Sequence, residues 1–280
     1  MMHLDKLALG TVQFGCQYGL NSVLPTKLEE VDSLLKFASK SGIHLLDTSP
    51  AYGNAEEVLG QVSANDNFQF VSKYSDLGIS VKDSFNKTLS QLRVNKLFGY
   101  LVHYFDMYQK CPSIWTEFQR LKSDGRVSHI GFSLYEPSEL ELLIKQNVDF
   151  DILQIPMNVF DRQFEPYLEE LHNRGVIIHV RSVFLQGLFF KNRAELPEKL
   201  VPLRKYLYCL DDYANANHLS VGEVALNYIF QNPYVDNVII GVHTKEQLVR
   251  NIDCINPEPI GFSINVSEED VHLLKPKNWN

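Results

Sequence analysis

Four residues in the first part of the chain could act together on an oxygen atom: Asp47, Tyr52, Lys73 and His103. Asp47 ends the apolar run HLLDT, Lys73 ends FQFVSK, and His103 ends LFGYLVH. Tyr52 follows Asp47 on a turn, beside Gly53. A charge that closes an apolar run is partly buried, and buried charges need partners. Asp47 and Lys73 can supply one another's. A free tyrosine has a pKa of about 10, and a nearby ammonium favours the phenolate and lowers that value. Tyr52 is therefore a candidate proton donor, with Asp47 keeping Lys73 charged and in place. His103 would orient a carbonyl oxygen or share in the proton transfer. Such a site protonates an oxygen as negative charge develops on it. Proton donation alone reduces nothing. A hydride donor is implied, and a nicotinamide cofactor can serve where no side chain can.

Each residue also has a plainer reading. Asp47 with Thr48 could cap the short helix that follows. Tyr52 could be a packing residue, Lys73 solvated punctuation at a strand end, and His103 a hydrogen-bonded core residue. Four such residues at equivalent positions on adjacent strands favour one shared site over four accidents.

The elements that would carry these residues alternate along the whole chain. LALGTVQFG, HLLDT, FQFVSKY, LFGYLVHY, VSHIGFS, FDILQIPMN, VIIHVRSV and DNVIIGV read as strands. Helical spacing appears between them, as in KLEEVDSLLKFASKSG with Val31, Leu34, Leu35 and Ala38, and in SVKDSFNKTLSQLRV behind Ser80 as cap and Asp83. Strands apolar on both faces with intervening helices indicate a parallel sheet. Eight strand–helix units with no linker predict a single α/β domain over residues 1–280, closed as a (β/α)8 TIM barrel. An open doubly wound sheet is the alternative, but no G-x-G-x-x-G follows the first strand. Two regions break the rhythm: Phe184 to about Pro202, and the tail after Asp253. Long loops after barrel strands lie on the C-terminal face, where sites are built.

A net charge of −8 argues against a nucleic-acid-binding surface. Cys16, Cys111, Cys209 and Cys254 form no C-x-x-C pair, so neither a metal site nor a secreted disulfide framework is expected. The N-terminus shows no signal pattern and no apolar run is long enough to span a bilayer, which points to a cytoplasmic protein. No oligomer signal is present, and a monomer is expected.

At this point the sequence resembles a family, the aldo-keto reductases, from LALGTVQFG to KEQLVRNI. The most specific piece is DTSPAYGNAEEVLG. The resemblance implies a (β/α)8 barrel that binds NADPH in extended form without a Rossmann domain. It implies reduction of an aldehyde or ketone to an alcohol, with Tyr52 as general acid and Asp47, Lys73 and His103 completing the catalytic set. It places Gly10, Thr11 and Asp47 near the nicotinamide riboside, and Ser133 and Gln154 on the carboxamide. Arg181 stands where a residue stacks on the nicotinamide ring, commonly a tyrosine, and a planar guanidinium can also stack. Ser182, Leu185 and Gly187 match a loop near the pyrophosphate. Gly241, His243, Gln247 and Asn251 match the adenosine segment.

The sequence departs from the family pattern in places. Leu134 replaces a common asparagine, and Arg250 an acidic residue near the adenine. Gln247 stands where many members place an arginine on the 2′-phosphate, and glutamine cannot make that charge-assisted bond. His243, Lys245 or Arg250 are the residues that could compensate. NADPH is the expected cofactor, with NADH the second choice. The loop from Gln13 to Tyr18, including Phe14, and the pair Tyr104 and Phe105 are candidate walls of a substrate pocket for a small carbonyl compound, a sugar-like one included. Two other functions stay open: a cofactor-binding barrel that serves as a regulatory or scaffold subunit, and an aldolase-like barrel with Lys73 as Schiff-base amine.

Overall fold

Side chains on a strand alternate between its two faces, so an apolar residue and a polar one two positions later share a side. That period decides what fills this molecule. The computed structural model describes residues 4–20, 24–62, 67–256 and 258–279. Eight strands pair in parallel and in chain order: β1 (Leu7–Gly10), β2 (Leu45–Asp47), β3 (Gln69–Tyr74), β4 (Leu97–Val102), β5 (Val127–Ser133), β6 (Ile152–Pro156), β7 (Ile177–Arg181) and β8 (Asn237–Gly241). The barrel closes where Leu7 of β1 pairs in register with Val238 of β8. The predicted (β/α)8 barrel is the observed fold.

The helices around it are α1 (Val12–Gly15), α2 (Leu28–Lys40), α3 (Ala55–Val62), α4 (Val81–Leu92), α5 (Phe105–Lys110), α6 (Ile114–Ser123), α7 (Pro137–Lys145), α8 (Glu165–Asn173), α9 (Arg204–Ala216), α10 (Val221–Phe230) and α11 (Lys245–Asp253). Their apolar stripes face the strands. Val31, Leu34, Leu35 and Ala38 of α2 are fully buried at the spacing read from sequence. Ser80 caps α4 by accepting the Asp83 N–H at 3.0 Å.

Three segments differ from the sequence expectation. LALGTVQFG is not one strand: it ends at Gly10, and Val12–Gly15 turns into α1. The cause is Thr11, whose N–H and hydroxyl both donate to the Asp47 carbonyl at 3.0 Å. Helix α5 was not expected, because its apolar residues continue the β4 pattern without a break. The irregular region after β7 forms short 3-10 turns at Leu185–Phe190, Arg193–Glu195 and Glu198–Leu203, then α9. These turns, α9 and α10 join the C-terminal tail in a second apolar core built on Phe160, Phe189, Leu200, Leu207, Phe262 and Leu274.

Inside the barrel, Ala8, Leu45, Val71, Leu101, Ile152 and Ile239 form one apolar layer. Two positions further along the same strands stand Gly10, Asp47, Lys73, His103, Gln154 and Gly241. The polar set is therefore the next layer of a packed interior. Its floor is apolar, and its upper side is the C-terminal mouth.

His179 belongs to this interior. It pairs in register with Gln154 and Asn237, is fully buried, and among the described residues neither ring nitrogen has a hydrogen-bond partner. Burial pushes its pKa down to about 4, opposed by the Asp47 carboxylate and helped by Lys73 and His129. A folded value below the unfolded one of about 6.5 means that the unfolded chain binds the proton first. The stability is present above pH ~6.5 and is lost as pH falls toward the folded pKa. Asp161 works in the opposite sense, since burial pushes its carboxyl up to about 6. Comparing wild type with His179→Met isolates the imidazole. Urea unfolding should find the variant gaining about 2–3 kcal/mol on wild type between pH 7 and pH 4.5. Parallel pH dependence in the two proteins would mean that the imidazole titrates normally in the fold.

Candidate active site

Lys73 reaches the mouth from β3 with no exposed surface. Its ammonium donates to Asp47 Oδ1 at 2.7 Å, to the Thr48 carbonyl at 3.0 Å and to the Tyr52 hydroxyl at 3.4 Å. An ammonium has three N–H donors, and these three acceptors match them. Asp47 keeps its second oxygen for Gln154 Nε2 at 2.6 Å, and Gln154 Oε1 accepts from Ser133 Oγ at 3.4 Å. One hydrogen-bonded row thus crosses the interior from β3 through β2 and β6 to β5. The capping role considered for Asp47 does not occur: its carboxylate faces the barrel, and α3 starts only at Ala55.

Tyr52 is held by its turn. Tyr52 N–H donates to the Ser49 carbonyl at 2.9 Å, and Ala55 N–H to the Tyr52 carbonyl at 3.2 Å. The turn lies hard against the end of α1. A Cβ on Gly15 would sit 1.9 Å from the Tyr52 carbonyl oxygen, and one on Gly53 would sit 2.2 Å from the Gly15 oxygen. Gly53 also has φ +62°. The glycine beside the tyrosine is needed for backbone approach and for a left-handed conformation.

His103 follows β4 and is buried. Its Nδ1 lies 3.0 Å from Ser49 Oγ, which also accepts the Ala51 N–H at 3.1 Å. Burial pushes the imidazole pKa well below the usual histidine range, and Lys73 and Arg181 add to this. The ring is neutral, and the Ser49 proton is available to Nδ1. With that proton given to Nδ1, the ring N–H would stand on Nε2. The Tyr52 ring meets His103 edge-on at 5.8 Å, and Tyr104 stacks on it at 4.2 Å.

The pKa of Tyr52 runs against the sequence expectation. Burial pushes the phenol well above its usual value; Asp47 adds to the shift, and Arg181 pulls the other way. Lys73 itself is lowered by burial, with Asp47 opposing. Desolvation is the largest influence at both, at the fully buried Lys73 and at the half-buried Tyr52. The phenol therefore keeps its proton until an acceptor of high basicity forms beside it.

The remaining candidates divide. Gly10 and Thr11 lie at the end of β1, with Thr11 fully buried and bonded to Asp47. Arg181, at the end of β7, stacks on Tyr135 at 4.1 Å and donates to the Leu134 carbonyl at 3.0 Å. Ser182 and Leu185 have φ of +66° and +46°, a strained path uncommon for such residues, and Gly187 continues it at +87°. Leu185 points into the second core and is fully buried. Gly241 ends β8, His243 lies between β8 and α11, Gln247 is in the first turn of α11 and Asn251 in its last, and Gln247 Oε1 accepts the His243 N–H at 2.7 Å. Phe14 and Phe105 are 1% and 4% exposed and belong to the main core. The helical turns after β1 and β4 carry them. Tyr18 and Tyr104 do stand at the rim, with Gln186 Nε2 donating to the Tyr18 hydroxyl at 3.1 Å.

Sequence reading missed Ser49, Tyr135 and Glu56. Ser49 lies within DTSPAYG, but its contact with His103 spans two strands. Glu56 is buried under the site, accepting from Ser72 Oγ at 2.6 Å and from the Thr88 hydroxyl at 3.2 Å, and fixes α3 and α4 to the strand of Lys73. Its burial at the start of α3 carries no sequence signal distinct from an ordinary first-turn acid.

Comparison with known proteins accords with this geometry. The sequence matches the aldo/keto reductase family over residues 6–260. An uncharacterized oxidoreductase of Bacillus subtilis (strain 168), YqkF, is 23% identical, with 97% of this chain and 93% of the relative covered. A glyoxal reductase of the same organism is 24% identical, with 93% and 88% covered. The solved structure of aldo-keto reductase AKR11C1 from Bacillus halodurans, in its holo form, is 18% identical and superposes with a TM-score of 0.72 over 96% of this chain and 90% of that one. A match over most of the length, on a barrel whose mouth carries these four side chains, leads to one assignment: the chain belongs to the aldo/keto reductase family.

Proposed function

We propose that the protein reduces an aldehyde or ketone to an alcohol with a nicotinamide dinucleotide, and that Tyr52 is the proton donor. The observation that carries this reading is the Lys73 ammonium held 2.7 Å from Asp47 and 3.4 Å from the Tyr52 hydroxyl. Tyr52 would pass its proton to the carbonyl oxygen as that oxygen becomes an alkoxide. The phenolate left behind would lie beside the Lys73 ammonium, which Asp47 and the Thr48 carbonyl hold in place. His103, with its N–H on Nε2, would donate a hydrogen bond to the same oxygen, as an oxyanion donor does.

The residues at the mouth fit a nicotinamide. Ser133 and Gln154 bring a hydroxyl and an amide together beside Asp47, a donor and acceptor set suited to a carboxamide. Arg181 offers a flat guanidinium next to them, with Tyr135 on one face. When bound, that ring supplies the hydride that reaches the carbonyl carbon. A hydroxylated, sugar-like carbonyl compound suits a rim of Tyr18, Tyr104 and Tyr135. The aldolase reading is disfavoured, since a Schiff base needs a free amine and Lys73 has all three donors engaged. The regulatory-barrel reading gains no support from a site that keeps a donor phenol and its ammonium together.

Three measurements test this. Tyr52→Phe should lower kcat by about 10²–10⁴-fold while changing the dinucleotide Kd by less than about threefold. Normal turnover in that variant would remove Tyr52 from its role. Ser49→Ala frees the His103 ring to change tautomer and should cost about tenfold in kcat with little change in melting temperature. A pH–rate profile should show no inflection near the usual histidine pKa in wild type. An inflection there would mean that His103 titrates in the working range.

A further inference from the structure

We infer that this reductase selects NADH over NADPH, and that Glu30 is the residue that excludes the 2′-phosphate. The inference rests on the nicotinamide-dependent reading above and on the family resemblance, which matches the start of α11 to the adenosine end of the cofactor. The family resemblance alone points to NADPH; the residues found there do not fit it.

A helix N-terminus binds anions through its free N–H groups and the positive end of its dipole. At the start of α11 part of that capacity is already used. Lys245 N–H donates to Glu30 Oε1 at 2.7 Å, across from α2. His243 N–H donates to Gln247 Oε1 at 2.7 Å. Gln247 N–H donates to Thr244 Oγ1 at 3.2 Å. A phosphate arriving here would have to displace these side chains and would meet a carboxylate, not a cation. The side chains that could compensate are poorly placed. Lys245 Nζ lies over the Phe37 ring, 5.5 Å from its centre, turned toward α2. Burial lowers the pKa of His243, so its ring is uncharged at neutral pH. Arg250 is exposed in the last turn of α11, and Lys27, which precedes α2, is exposed as well. Glu29 and Glu246, in the first turns of α2 and α11, add further negative charge.

The same arrangement suits a ribose. A carboxylate accepts hydrogen bonds from vicinal hydroxyls, whereas a cation is what accommodates a 2′-phosphate. Glu30 is a specificity residue through charge and is remote from the reacting atoms.

The test is fluorescence titration of the full chain with NADH and with NADPH, for wild type, Glu30→Gln and Glu30→Gln/Gln247→Arg. Wild type should bind NADH about tenfold or more tightly than NADPH at low salt. Glu30→Gln keeps an acceptor for Lys245 N–H and should shift the affinity ratio toward NADPH by about fivefold or more, and the double variant should shift it further. Tighter or equal binding of NADPH by wild type would overturn the inference. So would an unchanged ratio in a Glu30→Gln protein whose circular dichroism melt matches wild type. Both results would leave the reductase reading intact. Failure to bind either dinucleotide would overturn that reading and this one together.

Discussion

The structure depends on one buried ion pair. Lys73 and Asp47 meet inside a barrel whose floor is hydrocarbon, where an isolated charge would cost several kcal/mol to desolvate. The pair persists because every donor and acceptor on it is matched: the Thr48 carbonyl and the Tyr52 hydroxyl on one side, Gln154 on the other. The Asp47 backbone is fixed as well, since Thr11 binds its carbonyl twice. Strands β1, β2, β3 and β6 are thus tied to one another at the mouth by polar contacts that would be unstable if any were left incomplete. The chemistry proposed for Tyr52 follows from the same constraint. The phenol completes the coordination of the ammonium, and the proton proposed for transfer is the one on its hydroxyl.

Around that pair the fold divides its tasks. The apolar layer of Ala8, Leu45, Val71, Leu101, Ile152 and Ile239 gives stability and keeps water from below. The layer above is polar and hydrogen-bonded. The loops after β1 and β7 meet over the mouth, where Leu20 N–H donates to the Gln186 carbonyl at 3.2 Å. The tail closes the same side through Lys275 and Glu136, and through Lys277, which lies over Tyr135 at 5.0 Å. Tyr135 therefore carries Lys277 and Arg181 on its ring, a cation–π arrangement that sets where the guanidinium stands.

Much of the barrel was legible because strand and helix periods are local. Val127–Ser133 was read to the residue, and the ends of β2, β3 and β4 were placed closely enough to pick out Asp47, Lys73 and His103. The errors share a cause. LALGTVQFG looked continuous because nothing local marks the Thr11 turn, whose partner is Asp47. The region after β7 looked like a loop because its 3-10 turns, with left-handed Leu185 and Gln186, have no simple period.

The sequence by itself determined the alternation of elements, and with it the layer of polar residues two positions beyond an apolar one. That layer needs only the two-residue period of a strand. The tertiary structure decided everything that depends on distant partners meeting. Gln154 reaches Asp47 across 107 residues and Glu30 reaches Lys245 across 215. No spacing rule in one chain encodes such contacts. It also decided the direction of the Tyr52 pKa shift. The sequence offered a lysine that would lower it, but the packing of the folded chain around the phenol pushes it up, and desolvation is the largest influence.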